Sequence, residues 1–175
     1  MRLERVFSEL HPMYRKTLEL YKASFPYCER RSEAAQSKIM LCNDYNFCLI
    51  YDSQVFIGAV LFWETDSFIY IEHFFIHPEM RNKHYGSRVL NLLQGKNKKI
   101  ILEIDLPQDN ISARRKGFYE RCGFTENSYL HIQPLYHPSD KEQELIIMSY
   151  PGKISERDYI NFYGYLKNRV MKDAF

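Results

Sequence analysis

The segment from residue 70 to residue 87 constrains the fold of this chain more than any other part of its sequence. It reads YIEHFFIHPEMRNKHYGS, an apolar and aromatic strand that leads into a basic loop, and the helical pattern VLNLL follows. A helix N-terminus has unpaired N–H groups and a partial positive charge, so a strand–loop–helix unit can seat a pyrophosphate. Arg81 and Lys83 add two full charges. The segment therefore predicts an anion site between a strand and a helix.

Two common nucleotide-binding patterns do not occur in the sequence. Neither GxGxxG, the dinucleotide-binding fingerprint, nor GxxxxGK[ST], the ATP P-loop, is found. A phosphate- or nucleotide-binding protein of another kind is left open by the loop alone, and a preference for ATP over other ligands would support it.

The composition indicates a soluble globular protein. The chain has 175 residues, of which 45% are hydrophobic and 26% charged, so one domain over residues 1–175 is the simplest expectation. A net charge of +2 argues against a general nucleic-acid or membrane binder. There is no apolar run of about 18 residues and no signal-peptide pattern, and the four cysteines form no C-x-x-C pair. We therefore expect a cytoplasmic protein with free thiols.

Hydrophobic periodicity and turn residues predict an alternation of helices and strands. The expected strands are 2–7, 47–51, 55–63, 68–76, 99–105, 124–132 and 144–150. The expected helices are 11–23, 31–41, 87–93, 112–122 and 155–170. Gly95 and Gly123 are expected to end two of these helices, and Ser155 to cap the last. The order predicts a mixed α/β sheet with helices on both sides.

Three stretches in the middle of the chain belong together in their order and spacing. The basic loop carries Arg81 and Gly86, with His84 between them. Residues 113–124 read ARRKGFYERCGF, and residues 70–76 form an aromatic strand. Together they resemble the acetyl-CoA loop, the second signature and the central strand of the GCN5-related N-acetyltransferases. His84 stands where that family usually has the first glycine of its loop.

The resemblance covers about residues 40–150 and implies both a fold and an activity. The fold is the acyl-CoA N-acyltransferase type, a mixed α/β fold with a mostly antiparallel central sheet flanked by helices. The activity is transfer of an acetyl group from acetyl-CoA to a primary amine by direct attack in a ternary complex. The acceptor is a small molecule or a peptide, neither nucleic acid nor membrane is an expected partner, and a homodimer is left open. A non-catalytic acyl-CoA-binding or protein-interaction module on the same fold is the alternative.

The resemblance also implies which residues bind the coenzyme. In the family the loop holds the pyrophosphate through successive backbone N–H groups, and the end of the central strand holds the pantetheine arm. The expected cofactor-binding residues are Phe74, Phe75, Ile76, Arg81, Asn82, Lys83, His84, Tyr85, Gly86, Ser87 and Asn110. A residue other than glycine is accommodated at position 84 if its φ stays negative. Asn110 or Ser112 has helix capping as an alternative role.

Tyr119 is the expected general acid. It matches the family tyrosine that lies near the coenzyme sulfur, and a phenol with an ordinary pKa of about 10 can donate a proton at neutral pH. The alternative is a packing aromatic residue on an amphipathic helix, beside Phe118.

Glu72 is the expected base or amine-binding carboxylate. A carboxylate within an aromatic strand is costly unless it is used or paired, so a buried ion pair is the alternative. Strand alternation places Tyr70, Glu72 and Phe74 on one face. Glu103 in a later strand is a second candidate of the same type.

The expected acceptor-binding residues are Phe25, Glu29 and Tyr136, by analogy with the regions that the family uses; ordinary surface segments are the alternative. His73 and His77 lie four residues apart, which on a strand separates their Cα atoms by about 13 Å, too far to share one ion. We therefore expect no metal site.

Overall fold

The computed structural model describes residues 1–172 and residue 174, and its strands form one eight-stranded sheet. The strands are β1 (Arg2–Val6), β2 (Tyr45–Asp52), β3 (Val55–Glu64), β4 (Phe68–Ile76), β5 (Lys99–Asp105), β6 (Thr125–Glu126), β7 (His131–Gln133) and β8 (Gln143–Tyr150). The sheet order is β1-β2-β3-β4-β5-β8-β6, and β7 also pairs with β8. β4 and β5 are parallel, and the other pairs are antiparallel. The mixed, mostly antiparallel sheet is therefore confirmed.

Five α-helices accompany the sheet in the described residues. They are α1 (Tyr14–Ser24), α2 (Glu33–Ile39), α3 (Tyr85–Gln94), α4 (Asn110–Arg121) and α5 (Glu156–Tyr165). Short 3₁₀ turns occur at Tyr27–Glu29 and Pro78–Met80. None of the helices seen in residues 1–172 and 174 has the length and apolar character that a bilayer span requires.

Hydrophobic side chains pack against both faces of the sheet. On one face, which we call the α1 face, α1, α2 and α5 cover a buried cluster that includes Tyr21, Trp63 and Phe162. On the opposite face, the α3 face, α3 and α4 cover a cluster that includes Leu90 and Tyr119. Removing apolar surface from water on both sides stabilises the layered arrangement, and helices on both sides of the sheet are confirmed.

Helix ends follow the local sequence signals with two exceptions. Ser155 caps α5 by accepting a hydrogen bond from the N–H of Asp158, at 3.2 Å, and Gly123 ends α4 with φ of +85°. Gly95 ends α3 as expected, but its φ of −62° differs from the left-handed conformation that glycine usually adopts after a helix. The last predicted helix continues past Tyr165 as a π-helical turn, Leu166–Val170.

The strand predicted over residues 124–132 is divided into β6 and β7. Between them Asn127 leaves the ladder and is buried. Its side-chain amide donates to Ser149 Oγ at 2.8 Å, and its side-chain oxygen accepts from the N–H of Ile154 at 2.9 Å. Such side-chain bonds to distant backbone compete with regular pairing, which explains the break.

A β-bulge in β4 changes which side chains share a face. His73 lies opposite Leu61, while Ile71 lies opposite Phe62, so Glu72 is an extra residue in the register. Glu72 and His73 both contact residues of the α1 face. Phe74 packs on the α3 face instead. The prediction that Phe74 shares a face with Glu72 is therefore wrong, because the extra residue interrupts the alternation.

Candidate functional site

The two central strands separate partway along the sheet. β4 and β5 pair over the first four residues of β4, and the last pair found in the described chain joins Ile71 to Leu102. Both strands then continue, β4 through residues 72–76 and β5 through residues 103–105. We call the opening between these two segments the gap. It leaves one edge of β4 without a strand partner in the middle of the molecule.

The backbone of β4 presents alternate N–H groups to the gap. The N–H of His77 donates to the carbonyl of Ile57 at 2.8 Å, so positions 77 and 75 face β3. Positions 74 and 76 face the opposite edge, because successive residues of a strand alternate in direction. Phe74 and Ile76 thus have backbone groups directed at the gap, whereas Phe75 has its backbone directed at β3.

The loop after β4 turns the chain into α3 with two left-handed residues. Asn82 has φ of +61° and His84 has φ of +59°. Left-handed residues within a turn direct successive N–H groups to one side, which forms an anion-binding concavity. Arg81 precedes them, and its Nε donates to the carbonyl of Ile76 at 3.2 Å, so the loop is joined to the end of β4.

His84 has the backbone conformation that glycine usually adopts. We expected a negative φ at this position, and that expectation is wrong. The left-handed conformation costs an L-residue about 1–2 kcal/mol. Histidine tolerates it better than β-branched residues do. The turn into α3 imposes this conformation on whichever residue stands at its cap.

The first turn of α3 leaves backbone donors unpaired within the helix. The N–H of Arg88 donates to the carbonyl of His84 at 3.2 Å, so the N–H groups of residues 85–87 precede the first helical bond. A Cβ atom added at Gly86 would lie 3.0 Å from the ring of Phe118. Glycine at this position therefore allows α3 to pack closely against α4.

Tyr119 lies on the α3 face and is 9% exposed. Its ring packs against Phe118 and Phe124, with centroid distances of 5.1 and 5.6 Å. Phe74 packs against the same hydrophobic cluster. Burial raises the pKa of Tyr119 to about 12, so its hydroxyl stays protonated at neutral pH.

Glu72 lies in a closed polar cluster on the α1 face. Its carboxylate pairs with Arg31, and both side chains are fully buried. It also accepts hydrogen bonds from Trp63 Nε1 and the Tyr136 hydroxyl, each at 2.8 Å. Burial alone would raise the pKa of Glu72, but the Arg31 charge and these bonds lower it. The geometry is that of the buried ion pair, the alternative interpretation of this residue.

Glu103 is also engaged by neighbouring side chains. It accepts hydrogen bonds from the Tyr70 hydroxyl, from His131 Nε2 and, at 3.3 Å, from Gln133 Nε2. Its side chain is largely buried. Neither of the two carboxylates considered as a base is therefore directed, unpaired, into the gap.

Glu29 joins the two sides of the gap. Its carbonyl oxygen lies 2.8 Å from Nε2 of His73 in β4. Burial raises the pKa of its carboxyl group, and the charge of Asp105 at the end of β5 raises it further, while Arg115 opposes this effect. Phe25 lies against the His73 ring, with centroids 4.7 Å apart. Two of the predicted acceptor-binding residues thus meet at the α1-face side of the gap.

His73 was not among the predicted site residues. Its spacing from His77 raised only the question of a shared metal ion, and its position beside Phe74 on the central strand is the one sequence signal that points to the site. Its environment depends on residues far along the chain, and the spacing of histidines does not reveal it.

Two adjacent cavities lie near the start of β8, and the larger also adjoins the carboxyl end of β5. They measure about 510 and 480 Å³ and share Glu142 and Gln143 in their walls. Asp105 and Arg115 line the larger, and the buried Tyr136 lines the smaller. The smaller cavity lies beside the turn that contains Glu29, because the preceding residue, Cys28, forms part of its wall.

Asn110 is the first residue of α4, and its neighbour performs the capping. Asp109 Oδ1 accepts hydrogen bonds from the N–H groups of Ile111, at 2.8 Å, and Ser112, at 2.7 Å. The Ser112 hydroxyl accepts in return from the N–H of Asp109, at 3.1 Å. Ser112 thus has the capping role considered for it, and Asn110 remains exposed at the start of the helix.

Comparison with known proteins identifies the family. A family model described as an acetyltransferase (GNAT) domain matches residues 43–126, which contain β4, the gap and the loop. The structure of a putative acetyltransferase from the GNAT family of Bacteroides thetaiotaomicron is 29% identical, covers 98% of each chain and superposes with a TM-score of 0.91. Both matches support membership of this chain in the GNAT superfamily. Residues 70–76 and 113–124, which carry the resemblance, both lie within the matched range.

Two further acetyltransferases are similar to parts or to the fold of this chain. The putative acetyltransferase YjbC of Bacillus subtilis is 31% identical over 67 residues, which are 37% of this chain and 35% of that protein. The chain therefore matches about a third of the length of this curated relative. An aminoglycoside 6'-N-acetyltransferase complexed with coenzyme A is 15% identical, covers 85% of this chain and 96% of its own, and has a TM-score of 0.61. At this identity the likeness supports the fold alone.

Proposed function

We propose that this chain is an N-acetyltransferase that passes the acetyl group of acetyl-CoA to a primary amine by direct attack in a ternary complex. The observation that carries this proposal is the gap, whose unpaired strand edge leads directly into the left-handed loop before α3. A ligand with an amide-bearing arm and a pyrophosphate group fits this sequence of donors. Residues 1–175 are proposed to act as one unit.

The proposed coenzyme site consists mainly of backbone donors. The N–H groups of Phe74 and Ile76 face the gap and would donate to the oxygens of the arm and the acyl group. The N–H groups of residues 82–87, at the positive end of α3, would bind the pyrophosphate. Arg81 and Lys83 are exposed and add positive charge to the same loop.

In the proposed chemistry, backbone donors in the gap polarise the acyl carbonyl, and Tyr119 donates a proton to the departing sulfur. Bound acetyl-CoA supplies an acyl carbonyl that is activated by sulfur. N–H donors fixed in the gap would stabilise the negative charge that develops on its oxygen. Tyr119 retains its proton at neutral pH, which supports its role as the acid that protonates the departing sulfur.

An amine that carries positive charge is the proposed acceptor. Glu29 and Asp105 lie close enough for the charge of one to raise the pKa of the other. The larger cavity is also lined by Glu142 and Glu144, against the single arginine Arg115. The smaller is lined by Asp140 and Glu142, against the single lysine Lys141. Carboxylates at the entrance of a cleft concentrate cationic ligands.

A non-catalytic acyl-CoA-binding module on the same fold is the second candidate. The closed clusters around Glu72 and Glu103 favour it, because each removes a carboxylate that was considered as the base. Both candidates would bind the coenzyme through the same loop, so only a measurement of turnover distinguishes them.

Isothermal titration with acetyl-CoA, with ATP and NAD as controls, tests the proposal. We expect selective binding to acetyl-CoA and a loss of at least tenfold in affinity in the R81A/K83A variant. The K153A/R157A variant is the matched control, because it removes two exposed cations from the other end of the chain. Equal affinity for ATP, or no binding of acetyl-CoA, would contradict the proposed coenzyme.

A turnover assay with a linear polyamine and an aminoglycoside as acceptors then tests the chemistry. Release of free thiol that depends on the amine is expected. Selective acetyl-CoA binding without turnover on any amine would instead support the non-catalytic module.

A further inference from the structure

His73 is a buried histidine on the strand that forms one side of the gap. It is 4% exposed. Tyr21 and Phe25 meet its ring edge-on, with centroid distances of 4.9 and 4.7 Å, and Tyr136 lies at 6.1 Å. These aromatic side chains hold the ring in one orientation.

The hydrogen-bond partners of His73 determine which ring nitrogen has the proton. Nε2 lies 2.8 Å from the carbonyl oxygen of Glu29, which can only accept a hydrogen bond. Nε2 must therefore bear the hydrogen, and the Tyr21 hydroxyl, 3.4 Å away, is a weaker neighbour of the same nitrogen. In the neutral ring Nδ1 then has an unshared lone pair.

Nδ1 of His73 is buried and has no hydrogen-bond partner in the part of the chain that the structure describes. A buried polar atom without a partner costs about 1–3 kcal/mol, so such atoms are rare in folded proteins. The other ring nitrogen is satisfied, which makes the missing bond specific to Nδ1. A donor that arrives from outside the described chain would satisfy it.

The unpaired nitrogen lies beside the gap. Nδ1 is bonded to the ring carbon nearest the backbone, so it stays close to β4 at the residue before Phe74. The carbonyl oxygen of Glu29 contacts the ring at Nε2, and the charge of Asp105 at the end of β5 raises the pKa of the Glu29 carboxyl group. Nδ1 thus lies close to the backbone of β4, next to Phe74, whose edge faces the gap.

Burial keeps the His73 ring neutral against the carboxylates around it. Burial lowers its pKa below the ordinary value of 6.5, and Arg31 acts in the same direction. Glu72, Glu103 and the hydrogen bond to Glu29 oppose this effect and are weaker than burial. Tyr21, from α1, is itself protonated, since burial raises its pKa. The lone pair is consequently available at neutral pH.

We propose that Nδ1 of His73 accepts the proton of the acceptor amine during acetyl transfer. This inference rests on the proposed function. The amine attacks in its neutral form, after its ammonium proton has passed to solvent. As its nitrogen bonds to the acyl carbon, the carbon–sulfur bond breaks and its electron pair leaves on sulfur. One proton passes from nitrogen to Nδ1, and one proton passes from Tyr119 to sulfur. His73 then returns its proton through solvent, and Tyr119 is protonated again.

The H73Q variant tests this role with little loss of structure. The glutamine amide can still donate to the carbonyl of Glu29, but it has no basic nitrogen. With a linear polyamine as acceptor, we expect kcat/KM to fall by about 10²- to 10⁴-fold. The Kd for acetyl-CoA should stay within about twofold. Wild-type kcat/KM should fall as the pH is lowered through the pKa of His73, and this acidic limb should be lost in H73Q.

The H137Q variant is the matched control. His137 is also buried, and its Nε2 also faces backbone carbonyl oxygens of the same turn, those of Tyr27 at 3.1 Å and Arg30 at 3.0 Å. The H137Q variant should retain the wild-type kcat/KM and its decrease at low pH. If the wild-type protein turns over and H73Q keeps the wild-type kcat/KM and its decrease at low pH, the role of His73 is overturned. The proposed function would remain intact.

A measurement on the wild-type protein does not depend on how any variant folds. Nitrogen NMR of ¹⁵N-histidine-labelled protein at neutral pH should show a neutral ring with the proton on Nε2 of His73. The Nδ1 resonance should shift when coenzyme A and the polyamine are added together. A charged ring, a proton on Nδ1 or an unchanged Nδ1 resonance would overturn the inference. Failure of the wild type to bind acetyl-CoA would instead remove the proposed function, and this inference with it.

Discussion

At the scale of single residues, burial keeps the Tyr119 hydroxyl protonated. Its ring is enclosed by Phe118 and Phe124 on the α3 face, and this burial raises its pKa to about 12. A group that acts as an acid loses its function as the pH rises through its pKa. For Tyr119 that loss falls far above neutral pH, so the hydroxyl is available throughout the physiological range.

The Y119F variant should lower kcat by about 10- to 100-fold and leave acetyl-CoA affinity nearly unchanged, because it removes a proton donor and keeps the packed ring. Steady-state kinetics and isothermal titration measure the two quantities. Between pH 7 and about pH 10, Y119F should change the height of the wild-type rate profile and not its shape.

Tyr150 offers the control for Tyr119. Its ring packs on Phe124 in the same cluster, at a centroid distance of 5.8 Å. Y150F should therefore leave kcat unchanged. Equal losses of turnover and coenzyme affinity in Y119F, or no loss of either, would count against Tyr119 as the acid.

At the scale of elements, the junction between β4 and α3 is shaped by backbone conformation more than by side chains. Asn82 and His84 are left-handed, and Gly86 gives α4 room to pack against the first turn of α3. The backbone N–H groups of this junction form the concavity, so a histidine can replace the usual glycine at position 84 without removing a donor. The consequence is strain in the free protein.

Replacing His84 tests this strain. H84G should be more stable than H84A by about 1 kcal/mol, because alanine retains the Cβ atom that disfavours φ of +59° and glycine does not. Urea unfolding monitored by circular dichroism gives the difference. A greater stability of H84A than of H84G would show that position 84 carries no left-handed strain in solution.

At the scale of the whole molecule, the Arg31–Glu72 pair connects parts of the chain that are far apart in sequence. Arg31 precedes the cap of α2, while Glu72 lies in β4, 41 residues later. Arg31 also donates to the carbonyl of Val170, 139 residues away. The pair thus joins the start of α2, the central strand and the turn that follows α5. Because the pair is buried, removing either charge leaves the other without a counter-ion.

The E72Q variant should lose about 3 kcal/mol of unfolding free energy at neutral pH, because it leaves the Arg31 charge buried without its counter-ion. Urea unfolding at several pH values measures this. The pKa of Glu72 is lowered in the folded state, so its contribution is complete above the ordinary value of 4.5 and is lost as the pH falls through the lowered value. The unfolding free energy of E72Q should therefore lack this part of the dependence on pH.

Two further variants control this prediction. D52N breaks the exposed pair of Asp52 with Arg88, whose closest atoms are 3.0 Å apart, and should cost less than about 1 kcal/mol. The double variant R31M/E72M removes both buried charges and should recover most of the loss. A double variant no more stable than E72Q would show that shape, and not the unpaired charge, determines the cost.

Local patterns were sufficient to predict most of the elements. The bounds of Phe68–Ile76 and Lys99–Asp105 are confirmed at both ends, because continuous apolar runs between turn residues indicate strands. The prediction of one strand over residues 124–132 is wrong because Asn127 bonds to groups about twenty residues away. A distant partner leaves no periodic signal in the segment itself.

The sequence alone determined the order of the elements, the family and the basic loop before α3, because propensity, capping and motif spacing act over a few residues. The tertiary structure decided which face each side chain of β4 occupies, since one bulged residue moved Phe74 to the side opposite Glu72. It also decided that Glu72 meets Arg31 and that Nδ1 of His73 has no partner among the described residues. The bulge depends on pairing with a neighbouring strand, and the environments of Glu72 and His73 depend on contacts with residues more than forty positions away, which only the folded chain brings together.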